Sequence, residues 1–196
     1  MKKVVSVLLA LALSLALCCA FAENPALPAY TYAGDDPVMA AVVGYMLEMD
    51  SGIIPEEGGV LIPTPIILKT DMNADETEAT FYGNFWLFTY VQNGKMLERT
   101  ACGEFPGVMK LEKKDGAWTV VSLELADEGE AYWESIQKLT NGDAELAEQY
   151  LLTTGATEDS FLPQFQRAAV VNYVQENNLD IEAYQEPGEE PVSVID

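Results

Sequence analysis

The chain has 196 residues, with 32 Asp and Glu, 10 Lys and Arg and no His. The missing His excludes His-based metal sites, the Ser-His-Asp triad and a Cys-His pair. A net charge of −22 argues against nucleic acid, whose phosphates are bound by clustered Lys and Arg.

Residues 1–22 read as a secretory signal peptide. Lys2 and Lys3 form the positive start, Val4 to Leu17 is an apolar run, and Ala20-Phe21-Ala22 is an A-x-A cleavage site. The expectation is an exported protein, extracellular or in the cell envelope, with no membrane insertion after cleavage. Removing Lys2 and Lys3 leaves 8 basic residues against 32 acidic ones, a net charge of −24. Of the three Cys, Cys18 and Cys19 leave with the signal, so Cys102 stands alone. It is expected as a buried small residue in a strand.

Residues 23–34 are Pro-containing and aperiodic, a lead-in segment. Asp35 or Asp36 can cap a helix with Pro37 in its first turn, and Met39, Val42, Val43, Met46 and Met49 recur at helical spacing as far as Asp50. Residues 52–65, with Pro55, Pro63 and Pro65, read as loop or irregular edge strand. From Ile66 the apolar period changes to two. Strands are expected at Ile66 to Met72, Glu78 to Val91, Lys95 to Lys113 and Trp118 to Leu125. Asn93-Gly94 and Asp115-Gly116 supply tight turns. Gly103 to Gly107 should bend the third strand, since Pro106 cannot donate to a ladder. Helices follow at Glu130 to Leu139, after Asp143, and after Thr157 to Ser160. The last carries a stripe of Phe161, Leu162, Phe165, Ala168, Ala169 and Val174. Residues 176–196 hold seven acids and no Lys or Arg and read as a flexible tail.

The expected fold is α+β. An N-terminal helix packs on a curved four-stranded antiparallel meander, and a C-terminal helical segment follows. Residues 35–175 form one domain, with the sheet at 60–126, C-terminal helices at 130–175 and an acidic tail at 176–196. Trp118, Val120, Phe81, Phe85 and Val43 are expected in its core.

The second strand carries the site prediction. Alternation puts Phe81, Phe85 and Leu87 on one face and Tyr82, Trp86, Phe88 and Tyr90 on the other. Helices can cover one face. The other is expected either to be covered by the chain itself or to meet a ligand, a partner chain or the N-terminal segment, and in the second case these last four residues are the candidate ligand-binding or interface set. Asp71 to Asp75 begins like a calcium loop, but Glu76 and Tyr82 stand where Gly and Glu are required. A polar hairpin explains those residues better. Glu98, Glu104, Glu112 and Glu124 lie on or near strands, and nothing in their spacing pairs two of them. No catalytic residue, metal set or cofactor motif is assigned.

The run Glu112-Lys-Lys-Asp-Gly-Ala-Trp-Thr-Val-Val121 resembles the paired long strands of the nuclear transport factor 2-like superfamily, which has the cystatin-like fold. The aromatic strand, Asn-Gly-Lys turn and Gly-broken strand over 84–107 resemble uncharacterised exported bacterial proteins of that group. The resemblance implies one sheet curled around a helix, with a cone-shaped pocket or a dimer face. The superfamily includes enzymes, carriers and interaction modules, so the fold leaves function open. The expected function is a non-enzymatic exported binding or interaction module, for a small molecule or a protein. The alternative is a small enzyme using carboxylate acid/base chemistry in the cone. A homodimer through the sheet is the self-association the fold allows.

Overall fold

A computed structural model describes residues 26–155 and 157–195. The expected signal peptide and its expected cleavage site lie outside the described residues. Among the described residues the fold is α+β, with a mixed sheet of seven strands and four α-helices.

Helix α1 (Pro37–Glu48) opens at Asp36, whose carboxylate accepts from the Val38 and Met39 amides at 2.8 and 3.4 Å. Those donors have no intrahelical partner, so the cap stabilises the first turn. Strand β1 (Val60–Met72) begins earlier than its hydrophobic alternation, taking in Pro63 and Pro65. They are two residues apart, so both missing N–H groups fall on one edge of the strand. β1 pairs only with β2 (Glu78–Asn93), which leaves that edge free of ladder bonds. The turn between these strands is a polar hairpin. Asn73 Oδ1 accepts from the Thr77 and Glu78 amides, and Glu76 takes φ 52°.

The expected third strand is two strands. β3 (Met96–Gly103) pairs with Leu87–Asn93, and β4 (Pro106–Lys114) pairs with Glu78–Asn84 on the same side of β2. Glu104 and Phe105 bridge the break. Gly83 and Gly107 are register partners beside it. A Cβ on Gly107 would lie 2.3 Å from the Glu124 carbonyl, and one on Gly83 would lie 2.2 Å from that of Ile66. No side chain fits there, so glycine at both positions lets the strands close up at the bend. β5 (Ala117–Leu125) follows the Asp115-Gly116 turn and forms the far edge of the sheet.

Helices α2 (Tyr132–Leu139), α3 (Ala144–Leu151) and α4 (Leu162–Glu176) come next. Asn141 and Gly142, at φ 53° and 79°, end α2, and Asp143 caps α3 through the Leu146 amide. The buried stripe of α4 is Leu162, Gln166, Val170, Tyr173 and Val174, while Phe165 and Ala168 are exposed. The helix is therefore rotated from the expected stripe.

The flexible-tail expectation for 176–196 is corrected. β6 (Ala183–Gln185) adds to β3 in parallel, and β7 (Val192–Ser193) pairs with β6. The sheet is therefore seven-stranded and mixed rather than a four-stranded antiparallel meander. Ile181, Tyr184 and Val194 are buried. Their apolar area drives docking. The tail acids meet cations instead of repelling one another: Lys95 Nζ lies 3.2 Å from Asp180 and 2.7 Å from Glu182, and Arg99 pairs with Glu186.

The core has two sides. On one, α1 covers Phe81, Phe85, Leu87, Met109 and Leu111. On the other, α4 and the C-terminal strands cover Trp86, Phe88, Tyr90 and Leu97, and α2 and α3 pack on Val108. Leu27, in the lead-in segment, also joins the core, its amide donating to the Gly58 carbonyl. Val43, Phe81 and Phe85 are buried as expected, whereas Trp118 and Val120, on the edge strand β5, are only half-buried.

Candidate functional site

The four aromatic residues singled out on β2 do not form an open surface. Trp86, Phe88 and Tyr90 are 6%, 1% and 0% exposed beneath α4 and the C-terminal segment. They form a contiguous aromatic series. Trp86 and Phe88 stack with nearly parallel planes at 5.5 Å, Phe88 and Tyr90 meet tilted at 6.5 Å, and Tyr90 meets Tyr184 edge-on at 6.3 Å. Their polar handles are used internally. Trp86 Nε1 donates to the Thr153 carbonyl at 2.9 Å, and Gln166 Nε2 donates to the Tyr90 hydroxyl at 2.7 Å. Tyr82 stands apart and half-buried, with Lys69 Nζ 5.2 Å from its ring centre. Trp86, Phe88 and Tyr90 are closed off because the chain supplies its own cover, while Tyr82 stays half-buried. Burial of these three large rings drives α4 and β6 onto that face. Cys102 is likewise exposed rather than buried, with the Arg99 guanidinium donating to its sulfur.

A different place gathers chemistry. At the break between β3 and β4 the backbone leaves the ladder, and Asn84 on β2 fills the gap. Its Oδ1 accepts from the Phe105 amide at 3.2 Å, and its Nδ2 donates to Glu104 Oε1 at 2.9 Å and to Thr153 Oγ1 at 3.1 Å. Asn84 is fully buried, so these bonds satisfy an amide that would otherwise be costly to bury. Thr153 follows α3, and its hydroxyl donates to the Tyr150 carbonyl at 2.7 Å. The Tyr150 hydroxyl reaches the Gly107 carbonyl at 2.7 Å. The network thus ties the end of α3 to the bend in the sheet and fixes where Glu104 stands.

Glu104 lines a cleft of about 600 Å³ that lies between this break, the end of β5 and the facing ends of α2 and α3. Phe105, Leu125 and Leu151 give it apolar walls. Asp127, Glu128 and Tyr132 also line it, and its lining includes no Lys or Arg. Although Glu104 stays exposed along the cleft, partial burial of its carboxyl raises its pKa above the ordinary carboxylate value, and the Asn84 amide opposes that shift. Tyr132 is pushed up to about 12 by burial, with the nearby Glu104 charge adding to the effect. The Tyr132 hydroxyl is buried and makes no hydrogen bond within the described chain. A cavity of this volume with apolar walls and a few polar groups has the general form of a small-molecule site.

Glu104 appears in the sequence only as one of several strand-borne acids. Two local signals mark it: the Gly103-Glu104-Phe105-Pro106-Gly107 break, and Asn84 set among aromatic residues on a strand buried on both faces. Tyr132, Asp127 and Leu151 reach the same cleft from segments that no sequence spacing relates. Among the described residues, no group of three or more Cys, Asp or Glu is arranged to hold a metal ion, and no helix is long and apolar enough to cross a membrane. A scan against protein-family models finds no match to this chain, and a search of curated proteins finds none either.

Proposed function

We propose that this chain is an exported, non-enzymatic binding module whose ligand occupies the Glu104–Tyr132 cleft. The observation that carries the reading is the cleft itself. It combines about 600 Å³ of space and apolar walls with polar groups held by a buried hydrogen-bond network. Preorganised polar groups in an apolar setting orient a ligand without the cost of ordering the site on binding. Kinship with the nuclear transport factor 2-like superfamily is part of the proposal. It is supported by α1 packed against β1 and β5 and by the Asp115-Gly116 turn joining the long strands β4 and β5. The departure is that helices cover the second face, so the ligand site moves from the sheet face to its bend. A second copy of the chain would then reach the sheet at its edge strand β5 rather than through a face.

The test is isothermal titration with naphthylethanol, a neutral probe with an apolar body. Binding is expected in the micromolar to millimolar range and should be abolished by Leu125→Asp, which places a charge on an apolar wall. Equal binding by that variant, with its melting temperature unchanged, would remove the cleft from consideration. The carboxylate-enzyme reading has one observation in its favour, the raised pKa of Glu104, which suits a group that holds and releases a proton. Its mark would be bond cleavage in an ester or glycoside panel that is lost in Glu104→Gln.

A further inference from the structure

We infer that the cleft takes a small organic cation with an apolar body, because three acidic and two aromatic residues line it and its walls hold no basic residue. This rests on the reading that the cleft is a ligand site and adds the chemical class of the ligand.

Glu104, Asp127 and Glu128 come from two segments, the strand break and the loop after β5, and line one space with Phe105 and Tyr132. Elsewhere among the described residues, five acids are paired with cations. Lys95 lies against Asp180 and Glu182, Arg99 against Glu186, Lys69 against Asp71 and Lys114 against Glu112. The cleft acids have no such ion pair among those the described residues show. The Asn84 amide donates to Glu104 but leaves its charge in place.

Each part of the lining selects on the same side. A partly desolvated carboxylate such as that of Glu104 gains more from a charged N–H donor than from a neutral one. Aromatic ring faces attract a cation. Leu125 and Leu151 are 45% and 39% exposed, which offers apolar area to the rest of the ligand. An anionic ligand would meet three like charges with no counter-charge. A net charge of −22 adds a long-range field that draws cations in and weakens with salt.

The experiment compares three probes of one shape on the full chain: naphthylethylammonium, naphthylethanol and naphthylacetate. Titration calorimetry at low and high salt reads their affinities. The ammonium probe is expected to bind roughly tenfold tighter than the alcohol, as a charge-assisted hydrogen bond worth about 1.5 kcal/mol would give. Naphthylacetate is expected to bind weakest. Salt should shrink the advantage of the ammonium probe and leave the alcohol nearly unchanged. Glu104→Gln should remove most of that advantage, and the loop variant Asp127→Asn with Glu128→Gln should reduce it without touching the buried network.

Equal affinity for ammonium and alcohol would overturn the cation assignment while leaving the cleft as a ligand site. Tightest binding by naphthylacetate would do the same. Binding by none of the three would remove the ligand-site reading itself. An ammonium preference that survives all the carboxylate changes would show bulk charge attraction and overturn the role given to these residues.

Discussion

Glu104 is held by its neighbours at some cost to the fold. Its proton is bound more tightly in the folded chain than in the unfolded one. Between the ordinary carboxylate pKa and the raised value, the folded state therefore carries more protons, and stability falls as pH rises through that window. Glu104→Gln keeps an oxygen to accept from Asn84 and removes the charge. It should be more stable than the parent at pH 7 and close to it near pH 4, as read from urea midpoints. A variant less stable at both pH values would show that the ionised form has a partner. Tyr132 offers a second test. Its buried hydroxyl makes no hydrogen bond within the described chain, so Tyr132→Phe should leave stability equal or higher. A loss above about 1 kcal/mol would reveal a partner for the hydroxyl. Phe85, fully buried under α1, sets the contrast. Phe85→Ala should cost about 3–5 kcal/mol, and Trp118→Ala, on the half-buried edge strand, clearly less.

At the scale of elements, what was legible in the sequence is local. Asp36 and Asp143 cap helices, Asn93-Gly94 and Asp115-Gly116 turn strands, and each signal acts within a few residues. Alternation along β2 also sorted its side chains onto two faces correctly. What it could not say is what covers a face, because α4 and β6 lie far along the chain from β2. The tail was misread for a related reason. Acid-rich composition averaged over 176–196 hides Ile181, Tyr184 and Val194, which carry the docking. The cleft was illegible as a unit because four separate segments build it, although the Gly-flanked break at Glu104 marked one wall. Tyr184→Ala tests the docked tail. It removes a buried ring from contact with Tyr90 and should cost about 3 kcal/mol, by analogy with other buried aromatic truncations. A change below about 0.5 kcal/mol would match an undocked tail instead.

At the scale of the molecule, the described residues form a sheet clad by its own helices on both faces, with a cleft where the sheet bends, in a strongly acidic chain. The charge predicts no DNA or RNA binding at physiological salt. Lys110, Lys113 and Lys114 are the densest basic group, and Glu112 and Asp115 dilute it. A gel-shift assay at about 150 mM salt checks this, where charges beyond about 8 Å are screened. A salt-sensitive shift at micromolar protein would reveal a basic surface. The central claim is that ligand chemistry lies at the bend and not on the aromatic face of β2. Backbone amide NMR during titration with naphthylethylammonium tests it most directly. The account predicts shifts that saturate together at Glu104, Phe105, Asp127 to Gly129 and Tyr132, with Phe88 and Tyr90 unmoved. Saturating shifts centred on Trp86, Phe88 and Tyr90, with the cleft silent, would contradict it.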